Sequence, residues 1–271
     1  LKDVSFNVPG GSIVGFVGEN GAGKTTTIKA ILDIIRKDAG TVTLLGQDST
    51  SSGALAHSDI GVVFDECSFH DWLRADQVGK ILKNTYTTWD DAYFAELLQR
   101  FGLSGLTGKK DLIKTYSRGM KMKLSLAAAL AHRPKLLLLD EATSGLDPIV
   151  RDEILDLFLE FIRDDDHSIL FSSHITSDIE KAADYLVFIH QGRIILDAEK
   201  DELLARYGVV RCGRDRFTLL DTKHVIGTRQ TSFGIEALID NRPDFRPGDD
   251  AVIDPATVDD IMLFTIRGKS A

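Results

Sequence analysis

The chain has 271 residues, a formal net charge of −9, and 43% hydrophobic and 27% charged residues, the balance of an ordinary water-soluble fold. That length suits one large domain or one domain with a small appendage, and the acidity argues against nucleic acid as the main partner, since phosphate backbones need a basic surface. No apolar run approaches the roughly 18–20 residues of a membrane span, no signal-peptide pattern opens the chain, and Cys67 and Cys212 form neither a disulfide framework nor a metal spacing, so a cytosolic protein with reduced thiols is expected.

Leu1 to Val8 alternates apolar and polar residues (Val4, Phe6, Val8) as a strand does, and Pro9-Gly10-Gly11 reads as a turn. Gly11 to Val17 is an apolar run with the look of a buried strand, and Thr27 to Ile35 places apolar residues at helical spacing. Between them lies Gly18-Glu19-Asn20-Gly21-Ala22-Gly23-Lys24-Thr25-Thr26, the G-x-x-x-x-G-K-[ST] pattern in the strand-to-helix context that gives it meaning. The physics is anion capture. Glycines let successive N–H groups point inward, and the helix N-terminus adds its positive dipole end. Lys24 supplies a point charge for the β- and γ-phosphates, and the Thr25 hydroxyl is placed to hold Mg²⁺. This stretch predicts binding of a nucleoside triphosphate.

Further along, Thr41 to Leu45 and Ile60 to Phe64 read as strands, and residues from about 75 to 130 as a predominantly helical lobe, clearest at Tyr93 to Phe101 and Met120 to Ala131. Leu136 to Leu139 reads as a fully buried parallel strand. Ile149 to Arg163, after Pro148, is an amphipathic helix; Ser168 to Ser172 a strand; Ser177 to Asp184 a helix; and Tyr185 to His190 with Arg193 to Leu196 a hairpin. Asp201 to Tyr207 reads as a closing helix ended by Gly208. Beyond it, Phe217 to Leu220, Lys223 to Arg229, Ala251 to Asp254 and Met262 to Arg267 are short strand-like runs. The alternation predicts an α/β fold with a mostly parallel sheet covered on both faces, over residues 1–207, and a small, mainly β appendage over 208–271.

A second constellation follows Leu136-Leu137-Leu138-Leu139. Asp140 and Glu141 end a buried strand at the sheet edge where ligands bind in open α/β folds. Downstream of a phosphate loop, Asp140 is suited to Mg²⁺ and Glu141 to orienting and deprotonating an attacking water; alone, the pair would suit a helix N-cap equally well. Tyr116-Ser117-Arg118-Gly119-Met120 leads into a helix and offers a second anion site. Ser144-Gly145-Leu146-Asp147 follows the acidic pair, and His174 ends a strand region.

The order of these pieces resembles the ATP-binding-cassette (ABC) ATPases, over residues 1 to about 207. Gly18 to Thr25 matches the family's Walker A loop, Leu136 to Asp140 its Walker B strand, and Ser144 to Asp147 its D-loop. The resemblance implies a P-loop fold with an antiparallel β subdomain and an inserted helical lobe, with Glu141 as catalytic base and His174 as switch histidine. It also implies a head-to-tail pair of ATPase subunits in which Ser117 and Gly119 act on the partner's ATP, and a membrane-spanning permease driven by the cycle. The chain would then be cytoplasmic and peripheral on the membrane through that permease. Within the family it looks most like the ATPases of bacterial ABC-2-type exporters.

This sequence departs from the family pattern at two motifs. Arg118 and Met120 replace Gly and Gln in the signature, and Asp65 stands where the Q-loop usually has Gln. Asp65 would suit Mg²⁺ or a loop cap. Phe69-His70-Asp71-Trp72-Leu73 would suit a docking surface for the membrane subunit, while Trp72 and Trp89 also suit packing anchors. Two rival readings stand beside the transporter one: a soluble ABC ATPase acting on ribosomes or DNA, and a regulatory ATPase with weak hydrolysis. The remaining histidines (His57, His70, His132, His167, His190 and His224) lack ligand-spaced neighbours and receive no role.

Overall fold

The apolar runs become strands of one sheet in a computed structural model that describes residues 1–49, 58–106, 108, 110–218, 222–232, 234–242, 245 and 251–267. In chain order these are β1 (Ile13–Val17), α1 (Lys24–Ile31), β2 (Thr43–Leu44), β3 (Gln47–Asp48) and β4 (Ile60–Val63). The helical lobe follows as α2 (Ala75–Lys83), α3 (Asp91–Arg100) and α4 (Arg118–Leu130), then β5 (Leu136–Asp140), α5 (Pro148–Phe161), β6 (Ser168–Ser173) and α6 (Thr176–Ala182). A hairpin of β7 (Tyr185–His190) and β8 (Arg193–Glu199) leads to α7 (Lys200–Arg206). The remainder is β9 (Gly208–Cys212), α8 (Arg214–Phe217), β10 (Val225–Thr231), β11 (Gly234–Ile239), β12 (Val252–Pro255) and α9 (Val258–Arg267).

The main sheet has the order β4-β5-β6-β1-β7-β8, with β8 alone antiparallel to its neighbour. Burial on both faces explains why its strands read as unbroken apolar runs. Leu137, Leu139, Ile169 and Phe171 point into a core shared with α4, α5 and α6. Leu136, Leu138, Leu170 and Phe16 point to the other face, against Ile28 and Leu32. Register then decides what is gathered at the edge. Val17 pairs with Ser173 and Asp140 with Ser172, so β1, β6 and β5 end side by side and the residues just beyond them emerge together. No helix among the described residues is long and apolar enough to cross a membrane.

Two helix starts show the local chemistry. Ser117 Oγ accepts the Met120 N–H at 3.2 Å, and Asp147 Oδ1 accepts that of Val150 at 3.0 Å, each satisfying one orphan donor of the first turn. Pro148 takes the first position of α5, where its missing N–H costs nothing.

Several expectations need correction. Leu1 to Val8 carries the alternation of a strand but no strand ladder: Val4, Phe6 and Val8 are half-buried against the second core face, with Phe6 stacked on Phe16 at 5.2 Å. The expected strand at Thr41 to Leu45 shrinks to β2, paired among the described residues only with β3. Gly208 opens β9 instead of merely ending a helix. Phe217 belongs to a helical turn, with 219 and 220 outside the described residues. Met262 to Arg267 is helical: Val258, Ile261 and Phe264 are buried on one face of α9, at a spacing too wide for a six-residue window to register.

A second sheet, in the order β10-β11-β9-β12, is antiparallel throughout. Its Val209 and Leu238, with Ala256, Val258, Ile261 and Phe264, belong to the same buried cluster as Ile179 and Ala182 of α6. Val258 N donates to Glu180 Oε1 at 2.5 Å where α9 meets α6.

On the same face of this sheet as α9, where Arg229 lies over the Phe264 ring at 5.6 Å, Glu236 accepts from Arg229 Nε at 2.9 Å and Arg211 Nε at 3.1 Å. Those guanidinium groups, Arg229 foremost, hold its carboxyl below the ordinary value of 4.5. A depressed folded pKa stabilises the fold above the unfolded value, and the contribution is lost as pH falls through the folded one. Because Arg229 and Arg211 are 40% and 50% exposed, the contribution is set at about 1 kcal/mol. Glu236→Gln should therefore cost that amount at pH 7 and flatten the acid limb below the ordinary carboxylate value. Urea titrations across pH 3–7 check this, and an unchanged acid limb would assign the effect to other carboxylates.

Candidate nucleotide-binding and hydrolysis site

After β1 the chain curls through a loop that side chains would block. Gly21 and Gly23 take φ of 82° and 117°, the left-handed region that favours glycine. A Cβ on Gly18 would stand 2.5 Å from the Ile189 carbonyl oxygen. The β7–β8 turn grips the loop from outside: Gly192 N donates to Ala22 O at 2.8 Å, and His190 Nδ1 lies 2.9 Å from Glu19 Oε1, off the hydrogen-bond axis. Gly23 caps α1 without a side chain, which leaves the first-turn N–H groups free for an anion. Thr25 and Thr26 are exposed beside them, and Asn20 is exposed on the loop.

Lys24 reaches back from this helix into the site. Its side chain is 6% exposed, and Nζ donates to Gly18 O at 2.7 Å and Glu19 O at 3.3 Å. The same Nζ lies 3.1 Å from Glu141 Oε1, an ion pair off the hydrogen-bond axis. Glu141 Oε2 in turn lies 2.6 Å from His174 Nδ1. Residues from three neighbouring strand ends thus form one continuous chain, buried at Lys24, half-buried at Glu141 and open to solvent at His174.

Ser172 holds this arrangement. Its hydroxyl donates to Asp140 Oδ1 at 2.6 Å and accepts from Glu141 N at 3.1 Å, while its carbonyl accepts from the same N–H at 3.1 Å. Glu141 has φ 53°, a conformation costing on the order of 1–3 kcal/mol for a non-glycine residue, and the Ser172 contacts offset that strain. Asp140 is 1% exposed. With the Thr25 hydroxyl it offers the hard oxygen donors that Mg²⁺ prefers, so the residues present fit that ion.

Asp65 is exposed on the loop after β4, the strand that pairs with β5, and lines a cleft of about 660 Å³ with Glu66, Tyr116, Arg118 and Lys121. Ser117 is exposed and Gly119 half-buried at the start of α4. The Arg118 guanidinium lies over Gly145, with Cζ 3.0 Å from where a Cβ would stand. Trp72 is 69% exposed, with Lys114 Nζ 4.6 Å over its ring, so it is no packing anchor; Trp89 does pack, 5.0 Å from Phe94. His132 is buried and stacked on Tyr86, and His167 Nδ1 bonds Phe161 O, both structural. Ser172 and the His190–Glu19 pair escaped the sequence reading. Only the polar Ser172-Ser173 pair at the end of an apolar strand hinted at the first.

A parallel α/β sheet with a glycine loop, a buried lysine and two acids at adjoining strand ends defines a P-loop nucleotide-binding protein. A family model described as ABC transporter matches residues 1–144. The uncharacterized ABC transporter ATP-binding protein YdbJ of Bacillus subtilis (strain 168) is 34% identical over 194 residues, covering 72% of this chain and 62% of that protein. The chain thus spans less than two thirds of that relative. The lantibiotic transport ATP-binding protein SrtF of Streptococcus pyogenes is 34% identical over 201 residues, covering 74% of this chain and 85% of the relative. A solved structure of an ATP binding subunit of an ABC transporter has a TM-score of 0.66 at 26% identity, covering 75% of this chain and 85% of that one. The chain belongs to the ABC transporter family, with the ATP-binding chains of that family as its relatives.

Proposed function

We propose that this chain binds and hydrolyses ATP as one of a head-to-tail pair of subunits, and so powers transport, in the export direction, through a separate membrane-spanning permease. The reading places the chain in the cytoplasm, peripheral on the membrane, with the ATPase body over residues 1–207 and the appendage after it. The observation that carries it is the Lys24–Glu141–His174 chain at three adjoining strand ends. The loop Gly18-Glu19-Asn20-Gly21-Ala22-Gly23 and the N–H groups of Lys24, Thr25 and Thr26 cradle the phosphates, and Lys24 turns its charge toward them. Glu141 accepts the proton of the attacking water, and His174 holds the carboxylate at the solvent side of the site. Ser117 and Gly119 meet the partner's nucleotide.

Asp140 and Thr25 would hold Mg²⁺, with Asp65 as a further candidate ligand. When bound, that ion neutralises charge building on the phosphate oxygens. The similarity to a protein named for lantibiotic transport supports a transport role. The exposed Trp72 and its cleft offer a surface for the permease.

Affinity capture of the full chain from detergent-solubilised membranes of the source cell tests the reading. A multi-span protein at comparable abundance is expected. Recovery from the soluble fraction alone, with ribosomal or DNA-repair proteins, would remove the transport role and leave the ATPase chemistry standing.

A further inference from the structure

Asp178 is a buried carboxylate to which the reading above assigns no task. It lies four residues past His174 in the first turn of α6 and is 3% exposed. Two polar groups from other elements face it. The Arg151 Nε of α5 lies 3.8 Å from Asp178 Oδ2, and the Thr143 hydroxyl faces the carboxylate outside standard hydrogen-bond geometry. All three atoms are buried without a hydrogen bond of their own. Burial pushes the Asp178 carboxyl up, opposed by Thr143, Arg151, His174 and Lys181. A carboxylate kept in such a place costs stability, and a buried pair is weak evidence for a stabilising role.

The cluster's neighbours suggest what it does. Thr143 sits two residues past Glu141, in a turn tied by Ser144 N to Glu141 O at 3.0 Å and Leu146 N to Thr143 O at 3.4 Å. Arg151 donates from its other end to Leu146 O at 3.2 Å. Asp178 therefore touches, through Thr143 and Arg151, both ends of the turn that begins with Glu141, and it rides on the helix that begins just after His174. We infer that Asp178 is a positioning residue for ATP hydrolysis: paired with Arg151 and Thr143, it fixes the turn carrying Glu141 relative to the helix entered from His174, and so keeps the Glu141–His174 contact in register. The inference rests on the roles proposed above for Glu141 and His174. The 3.8 Å gap also leaves spare bonding capacity, about 1 Å longer than a formed N–H···O bond.

Steady-state ATP hydrolysis by the full chain tests this with Asp178→Asn, Arg151→Gln, the double variant and Asp178→Glu. Misplacing reacting groups by an ångström costs up to about a hundredfold, so each single variant should lose roughly ten- to a hundredfold in kcat with KM for ATP nearly unchanged. The double variant should lose no more than the worse single one, because both cut the same contact. Asp178→Glu, which keeps the charge and has the reach to span the gap, should recover most of the rate. Wild-type kcat in Asp178→Asn, additive losses, or a loss appearing only in KM would overturn the inference. If Asp178→Asn does not fold, Arg151→Gln carries the same test from the opposite side. A Glu141→Gln control separates the two readings: if it turns over normally, the base assignment fails; if it is inactive while Asp178→Asn is normal, only the positioning role fails.

Discussion

Replacing Glu141 by Gln is expected to lower ATP turnover about 10²–10⁴-fold, the range general-base catalysis supplies, while ATP binding persists and the closed pair of subunits accumulates. The geometry says why the substitution is selective. Gln keeps the volume and the backbone contacts of Glu141 N to Ser172, so the strained residue stays seated. What disappears is the charge between Lys24 Nζ at 3.1 Å and His174 Nδ1 at 2.6 Å, and with it the capacity to take a proton. Nucleotide binding needs the loop and Lys24, which the change leaves in place. Single-turnover phosphate release and equilibrium ATP binding, measured side by side, check both halves. Hydrolysis at the wild-type rate would remove Glu141 from the role of base.

Phe158→Ala should act on the other side of the balance, costing about 3–5 kcal/mol of stability through lost burial and a cavity. Phe158 is fully buried on α5, its ring 5.6 Å from that of Phe171 on β6. Both rings belong to the core face shared by the sheet, α5 and α6. For a chain of this size the loss corresponds to a fall in Tm on the order of 10 °C. Well below the new Tm, kcat should stay within about twofold of wild type, because a stability loss need not move the strand ends. A loss under 1 kcal/mol by urea unfolding would show that the core repacks around the gap.

Features confined to one segment were visible in the sequence: the glycine loop between its strand and helix, the acids closing Leu136 to Leu139, and Pro148 opening a helix. Features that require two strands in register were not. Ser172 acquires its importance only because it pairs with Asp140 across β5 and β6, and Asp178 only because α5 and α6 pack together. The second sheet was half seen for a similar reason. β9 and β11 each contain glycine and are short, and the pairings of β9 with β11 and β12 join segments tens of residues apart. The α9 pattern of Val258, Ile261 and Phe264 needed a longer window than the run that suggested a strand.

The sharing of one buried cluster between α9, the second sheet and α6 has a practical corollary for anyone shortening this chain. A gene product stopped after residue 207 would lose Val209, Leu238, Val258, Ile261 and Phe264 together and bare the flank of α6 they cover. That scar would be oily and contiguous, the kind of surface that seeds precipitation. The carboxyl-terminal quarter is thus a structural keystone as well as an extension, and fusion tags or reporters belong beyond it instead of in its place.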